Sequence, residues 1–492
     1  MADTQVGIFT YTQPHEVGLS AQIIGEAIAS LVAQGIQMHS VLIARGSALV
    51  CEAYWQPYGR DDLHRMYSIT KSFVSLGIGI LVDQGKLSLD DRIVTFFPEE
   101  LPAGEPVPEQ LEAVTIRNML MMASCHRGTA YKVGGRSNYI GSFSSNWVGS
   151  FFTVEPSHDP GTVFQYDTSA THVLGALIEK ISGKKLIEFF TEHLFGDLDI
   201  SPNTYILTDP KGVSAGGSGL MMRPIDLLAV TRVLADGGRG CVSSSYIEDA
   251  TSKQIATHLS SSSHSSESRN GYGYKFWRTS RDGWAMLGMG GQMAICVPEK
   301  DLLFVTTADT QGSAGDESAI MREIWKIVDS VQEGPIEEDL AENAFLETVL
   351  QDLALPVIAN KENSSMEQTV EKKLYRFDKN DLGLNSVSFL FSEESSITLS
   401  MDRGTYTFAF GMGENIFIEL PQKMALAQKA AASGGWLDST TLAITLQFLG
   451  AELGSLLLQA SFKEDRLTLL LRLFGELSFE GFDGLLSSLP AE

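Results

Sequence analysis

The sequence predicts an α/β domain over residues 1–332, an acidic connector over 333–371 and a small all-β domain over 372–492. Three observations carry this. Strand-like apolar runs stand at both ends of the first 330 or so residues with helical stripes between them, the pattern of a sheet assembled from distant segments. Carboxylates then crowd from Glu333 to Glu367 against one basic residue, Lys361, with Pro335, Pro356 and a polar Asn-Lys-Glu-Asn-Ser-Ser run as linker features. From Leu374 onward the apolar period becomes two.

The elements follow in order. Ile23, Ile24, Ala27, Ile28, Leu31 and Val32 form a helical stripe over 20–34, closed by Gly35. The runs 39–44 and 48–55, joined by Arg45-Gly46-Ser47, read as a hairpin. A long helix is predicted from Ser68 to Gly85, with others over 114–123, 169–182, 185–195 and 224–236, the last with Pro224 in its first turn. Strands return at 271–277, 285–297 and 301–308, and a helix over 315–331 closes the unit. The segment 344–355 has the pattern of a helical turn or two within the acidic stretch. In the tail, Val387/Phe389/Phe391, Ile397/Leu399/Met401, Tyr406/Phe408/Phe410 and Leu442/Ile444/Leu446/Phe448 alternate, which predicts antiparallel strands.

Composition excludes some functions. The 492 residues are 43% hydrophobic and 20% charged, too ordered in composition for wholesale disorder. With 36 Lys and Arg against 61 Asp and Glu, the formal charge of −25 repels phosphate backbones and anionic lipid, so neither nucleic acid nor membrane is an expected partner. No apolar run approaches the roughly 20 residues of a membrane span, and the start has no signal-peptide pattern. Cys51, Cys125, Cys241 and Cys296 lie far apart and read as reduced thiols of a cytoplasmic protein.

The most informative stretch is His64-Arg65-Met66-Tyr67-Ser68-Ile69-Thr70-Lys71-Ser72-Phe73. Ser68 and Lys71, three apart, share one face of a helix. A serine hydroxyl needs a base to become a nucleophile, and a lysine serves only when burial or a neighbouring cation lowers its pKa from about 10.4. The apolar residues after Lys71 predict that burial. The spacing alone is weak, because Ser182-Gly183-Lys184-Lys185 matches it too, though Gly183 interrupts the turn and no apolar helix surrounds that serine.

The segment from Met66 to Glu99 closely resembles the nucleophile helix of the β-lactamase-related serine hydrolases, which include class C β-lactamases, penicillin-binding D-Ala-D-Ala peptidases, D-aminopeptidases, esterases and nylon-oligomer amidases. The resemblance runs from about residue 20 to 330 through ordered blocks at 114–128, 159–190, 216–238 and 271–305. The acidic stretch and β-rich tail resemble an extension carried by one branch of the family. The resemblance implies a β-lactamase/DD-peptidase-like fold, an antiparallel sheet flanked by helices with a helical subdomain over roughly 60–230.

It also implies site residues. Tyr166-Asp167-Thr168 stands where the family has Tyr-x-Asn or Tyr-x-Ser, making Tyr166 a proton carrier and Thr168 a substrate-binding hydroxyl. Leu287-Gly288-Met289-Gly290-Gly291-Gln292 matches the strand reading Lys-Thr-Gly or His-x-Gly in relatives. Leucine there removes the cation that holds a substrate carboxylate, unless Arg65, Arg127 or Arg278 supplies one. Likeness to the amidase branch places the oxyanion donors on the Ser68 and Met289 amides, with Gly288 and Gly290 letting substrate approach.

Other candidates are weaker. His172 reads as a packed histidine of the Tyr166 helix, and His64 and Arg65 as pocket or structural residues. His258 and His264 sit in a polar loop without metal-ligand spacing. Gly216-Gly217-Ser218-Gly219 lacks the Lys-Ser/Thr of a phosphate loop, and Cys125-His126 lacks a thiol-hydrolase signature.

The expected function is a serine hydrolase forming a Ser68 acyl-enzyme on a small-molecule ester or amide, without metal or organic cofactor. The alternatives are a true β-lactamase or D-Ala-D-Ala peptidase, or a non-catalytic descendant that binds a ligand or partner. For the β tail, a cover over the site or a contact between copies in a homo-oligomer are the two expectations.

Overall fold

The computed structural model describes residues 5–104, 106–127, 145–257, 266–313, 315–361, 366–371, 373–391, 395–420, 429–475 and 484–490. They divide into two compact units, Met1–Ala354 and Leu355–Glu492.

In the first unit, strands β1 (Gln5–Val6), β2 (Phe9–Tyr11), β3 (Met38–Arg45) and β4 (Ala48–Tyr54) come from the N-terminal part. Short strands β5 (His64–Arg65), β6 (Tyr205–Ile206) and β7 (Leu220–Met222) form a separate sheet in the order β5-β7-β6. Strands β8 (Trp277–Arg278), β9 (Trp284–Gly288), β10 (Gln292–Val297) and β11 (Leu302–Ala308) complete the main sheet, ordered β1-β2-β4-β3-β11-β10-β9-β8. Its pairs are antiparallel except β2 with β4. The sheet is assembled from distant segments, as the two-ended strand pattern predicts.

Twelve helices accompany these strands among the described residues: α1 (Ala21–Ala33), α2 (Thr70–Asp83), α3 (Glu109–Glu112), α4 (Ile116–Leu120), α5 (Trp147–Thr153), α6 (Thr168–Ser182), α7 (Leu186–Phe190), α8 (Pro224–Ala235), α9 (Ser244–Thr251), α10 (Asp316–Ser330), α11 (Leu340–Gln351) and α12 (Glu367–Val370). All but α12 belong to the first unit.

Alternation along each strand sends side chains to two different cores. Leu42, Ala44, Met286, Ala294, Leu303 and Val305 pack with α2, α6 and α8. Val41, Ile43, Ala285, Ile295 and Phe304 pack with α1 and α10. Helix α2 is apolar all round because it runs through the first of these cores. A Cβ on Gly77 would stand 2.7 Å from Ile178 Cδ1, so glycine there sets how closely α2 and α6 pack.

The acidic stretch is shared between the units. Asp339 caps α11 by accepting from the Ala341 and Glu342 amides. Phe345 lies 2.7 Å from where a Gly25 Cβ would be, Leu346 is buried, and Glu342 accepts from the Ser20 hydroxyl at 2.7 Å, so α11 packs on α1. Residues 355–361 instead cross the second unit's sheet. The Ile358 amide donates to Ser433 Oγ and Gln447 Nε2 donates to the Pro356 carbonyl.

The second unit is a ten-stranded sheet of β12 (Tyr375–Arg376), β13 (Leu384–Leu390), β14 (Ser395–Met401), β15 (Gly404–Met412), β16 (Ile416–Glu419), β17 (Lys429–Asp438), β18 (Thr441–Leu449), β19 (Gly454–Lys463), β20 (Arg466–Gly475) and β21 (Gly484–Ser487). The order follows the sequence except that β16 lies beside β17, which also pairs with β15. The alternating residues Val387, Phe389, Ile397, Leu399, Phe408, Phe410, Ile444 and Leu446 share one buried core.

Candidate active site

Strand β5 pairs with β7 through His64–Met222 and Arg65–Met221, and the Met66 amide donates to the Leu220 carbonyl. The chain is thereby held just before a single 3-10 turn, Tyr67–Ile69, that leads into α2. The predicted helix thus begins at Thr70, two residues later than its pattern suggests. Tyr67 has a φ of 44°, a left-handed conformation uncommon for a bulky residue. It is fixed by burial, by the Thr70 hydroxyl donating to its carbonyl at 2.6 Å, and by the Arg65 guanidinium 4.5 Å from its ring centroid.

This elbow separates two needs. Ser68 is half-buried, whereas Lys71 is only 1% exposed. Lys71 Nζ lies 2.8 Å from Ser68 Oγ and donates to the Gly217 carbonyl at 2.6 Å. Burial pulls the Lys71 amine down to about 7, partly opposed by the Asp167 carboxylate. A neutral amine so placed gives one N–H to Gly217 and offers its lone pair to the serine.

Tyr166 closes the group from the segment before α6. Its hydroxyl is hydrogen-bonded to Ser68, its ring centroid is 5.1 Å from Lys71 Nζ, and it stacks on Trp277 at 6.0 Å. Burial pushes its phenol up to about 12, with the Ser68 bond opposing, so it stays protonated near neutrality. Thr168, half-buried, is the first residue of α6, which Asp167 caps through the Ser169 amide at 2.9 Å.

Strand β9 approaches the Tyr67–Ile69 turn at Gly288. A Cβ there would lie 2.4 Å from the Met66 carbonyl oxygen, so only glycine permits this separation. Met289 follows, half-buried, in the three-residue connection Met289-Gly290-Gly291 between β9 and β10, with φ of 82° at Gly290 and 87° at Gly291. Leu287 is buried among Phe164, Trp277 and Met293, placing no charge at that position. Arg65 donates to the Ser218 carbonyl, and Arg278 to the Thr251 and Asp282 carbonyls. Arg127 is exposed.

Two buried ionisable residues beside this group, Asp167 and Lys275, are given no role by the sequence reading. Asp167 is fully buried, and burial raises its carboxyl while Ser169, His126 and Lys275 pull it down. Lys275 is 2% exposed; burial, then the Lys71 charge, hold its amine well below the ordinary lysine range. Its Nζ donates to the Met119 carbonyl at 2.6 Å and lies 3.1 Å from Met122 Sδ, the sulfur that also accepts from the Asp167 amide at 3.3 Å. Lys275 also accepts, through its carbonyl, from the hydroxyl of Ser72, the residue after Lys71. The available signal was a lone charge in the aromatic run Gly271–Trp277, and a carboxylate just ahead of a helix.

The remaining candidates stand elsewhere. His172 Nε2 lies 3.2 Å from Asp209 Oδ2 in a fully buried pair that ties α6 to the loop after β6. Lys185 bonds the Gly212 carbonyl and Glu179 rather than Ser182. His64 Nε2 sits 2.6 Å from His39 Nδ1, both buried. His258 and His264 lie outside the described residues. All four cysteines are unpaired. Among the described residues no three His, Cys, Asp or Glu side chains cluster as metal ligands, and no helix is long and apolar enough to cross a membrane.

Comparison with known proteins places this arrangement. Residues 24–328 match the β-lactamase family model. The 6-aminohexanoate-dimer hydrolase of Paenarthrobacter ureafaciens is 24% identical over 310 residues, covering 59% of this chain and 78% of that relative. Esterase EstB of Burkholderia gladioli is 30% identical over 157 residues, 30% of this chain and 39% of the esterase. Among solved structures, a putative 6-aminohexanoate-dimer hydrolase from Bacillus anthracis superposes with a TM-score of 0.53 at 16% identity, over 67% of this chain and 89% of that one. The hydrolase EstCE1 gives 0.51 at 16% identity, over 62% and 99%. With the family model spanning β3 to β11, α2, α6 and the β9–β10 hairpin in order, the chain belongs to the β-lactamase family, as a serine hydrolase.

Proposed function

We propose that Ser68 is the nucleophile of a two-step acyl transfer on a carboxylic ester or amide. The supporting observation is the 2.8 Å approach of Ser68 Oγ to a lysine that burial keeps partly neutral at pH 7. Lys71 takes the serine proton as Oγ attacks the carbonyl carbon. The tetrahedral oxyanion is held by the Ser68 and Met289 amides, and the Tyr166 hydroxyl passes a proton to the leaving alcohol or amine. Water then attacks the acyl-enzyme with the same groups acting in reverse, releasing the acid and restoring Ser68. Thr168, Gly288 and Gly290 border the substrate.

An ester or linear amide is favoured over a β-lactam or peptidoglycan stem because Leu287 removes the cation that would clamp a substrate carboxylate. The names of the relatives, an amide-dimer hydrolase and an esterase, support the same preference. The four unpaired thiols fit a reducing, cytoplasmic setting.

Fluorophosphonate labelling and turnover of a short-chain p-nitrophenyl ester test the nucleophile. Ser68→Ala is expected to abolish labelling and lower kcat on the order of 10⁴-fold or more. A folded variant with wild-type turnover overturns the assignment, and rapid nitrocefin hydrolysis overturns the substrate preference.

A further inference from the structure

The connection that carries Met289 is anchored at every carbonyl. The Met289 carbonyl accepts from Gln292 Nε2 at 2.8 Å, that of Gly290 from the Thr310 amide at 3.2 Å, and that of Gly291 from the Thr306 hydroxyl at 2.9 Å. Gln292 is fully buried, and its side-chain amide is used completely. Oε1 accepts from the Ala308 amide at 3.1 Å, while Nε2 also donates to the Ala308 carbonyl at 2.8 Å. The glutamine thus pairs with Ala308 as a strand residue would, extending the β10–β11 ladder beyond its last backbone pair, Met293–Thr306, and gives its other N–H to Met289. Methionine has neither donor nor acceptor for this, glutamate has no N–H, and asparagine is one carbon shorter.

Strand alternation puts Gln292 on the Ala294 side of the sheet and Thr306 on the Phe304 side, so the connection is held from both faces. Such double anchoring is more than a hairpin needs. Gly290 and Gly291 already supply the positive φ that the turn requires. What it adds is a fixed position for a backbone N–H, which an oxyanion donor needs, since misplacement by about 1 Å costs about 100-fold.

We infer that Gln292, seconded by Thr306, is a positioning residue for hydrolysis: it fixes the Met289 backbone so that its amide meets the oxyanion. The inference rests on the proposed role of Ser68 and Met289. A residue acting this way supports the tetrahedral state and leaves ground-state binding and the lysine base alone.

Gln292→Met tests it in the full chain, with a p-nitrophenyl ester as substrate and an alkylboronic acid as tetrahedral analogue. The expected result is a kcat lowered about 10- to 100-fold, boronate affinity weakened by a similar factor, KM within about twofold, and an unmoved acid limb of kcat/KM. A folded Gln292→Met with wild-type kcat and boronate affinity, or with a loss confined to KM, overturns the inference. Should that variant fail to fold, Thr306→Val decides. It is expected to lose about 3- to 10-fold in kcat, with most of the loss recovered in Thr306→Ser; equal kcat in wild type and Thr306→Val overturns the inference. The underlying reading fails separately, through an active Ser68→Ala. An inactive Ser68→Ala beside an unaffected Gln292→Met removes only the positioning role.

Discussion

Replacing Asp167 by asparagine isolates the electrostatics of the base. As the proposed base, Lys71 acts only when neutral, so kcat/KM is expected to rise with pH through its pKa and level off above it. Burial takes that pKa from 10.5 to about 7. At pH 7 an ordinary lysine is neutral in about one molecule in 3,000, whereas one at 7 is neutral in about half, a gain of about three orders of magnitude. The Asp167 carboxylate works against this gain by favouring the ammonium. The groups around the pair are Tyr166 on its own segment, Lys275 from the segment before β8 and His126 from the turn after α4. Asparagine keeps the α6 cap, because its side-chain oxygen accepts from the Ser169 amide as the aspartate does at 2.9 Å. The expected wild-type profile has an acid limb with its midpoint near pH 7, falling tenfold per pH unit below it. In Asp167→Asn the midpoint moves to lower pH. The check is kcat/KM for a p-nitrophenyl ester from pH 5 to 9 in both proteins. A wild-type profile without that limb refutes the lysine base, and a midpoint that stays or moves alkaline in Asp167→Asn refutes the opposition of the carboxylate.

Two further outcomes follow from packing. Gly288→Ala puts a Cβ 2.4 Å from the Met66 backbone oxygen, so β9 or the nucleophile turn must shift. A loss of about 100-fold in kcat is expected with about 1–3 kcal/mol of stability, read by steady-state kinetics and urea unfolding; wild-type kcat would show that this close approach is dispensable. The buried His39–His64 pair makes the first unit acid-sensitive. Burial holds His64 down to about 4 and His39 well below 6.5, so both are neutral in the folded chain and take up protons on unfolding below pH 6.5. Their contribution is intact above pH 6.5 and lost as pH falls toward 4, about 3 kcal/mol for His64 over the whole window. His64→Gln is expected to flatten unfolding free energy against pH between 6.5 and 4, and an unchanged slope refutes the assignment.

Sequence legibility followed the range of the forces involved. The stripe from Ile23 to Val32 names α1 almost to the residue, because a helix that packs one face writes a period of 3.6 into its own segment. The alternating pairs of the tail name strands of the second sheet for the same reason at period two. The elbow at Tyr67 is only partly written locally: Thr70 lies three residues on, but β5 pairs with β7, a strand far along the chain at Leu220–Met222. Lys71 finds its carbonyl partner 146 residues away at Gly217, a proximity that no spacing encodes. Composition also misled. The carboxylates of 333–371 make the helical pattern at 344–355 read as a turn or two of a connector, whereas Phe345, Leu346, Val349, Leu350 and Leu353 pack α11 and the residues after it into the first unit.

The site joins two demands that oppose each other, and the elbow reconciles them. A lysine base must be dry, but the nucleophile must meet a substrate. On a regular helix, residues three apart share a face and much the same exposure. Ending the helix at Thr70 and turning the chain at Tyr67 lets Ser68 reach half-exposure while Lys71 stays at 1%. The consequence for substrate is direct. Under the proposed mechanism the wall at Leu287 is apolar, at a position where the family resemblance implies a cation. A substrate carboxylate at that wall would lose its hydration without gaining a partner, a cost of several kcal/mol. A neutral ester or amide carries no such cost, and in the proposed mechanism the Ser68 and Met289 amides hold it instead.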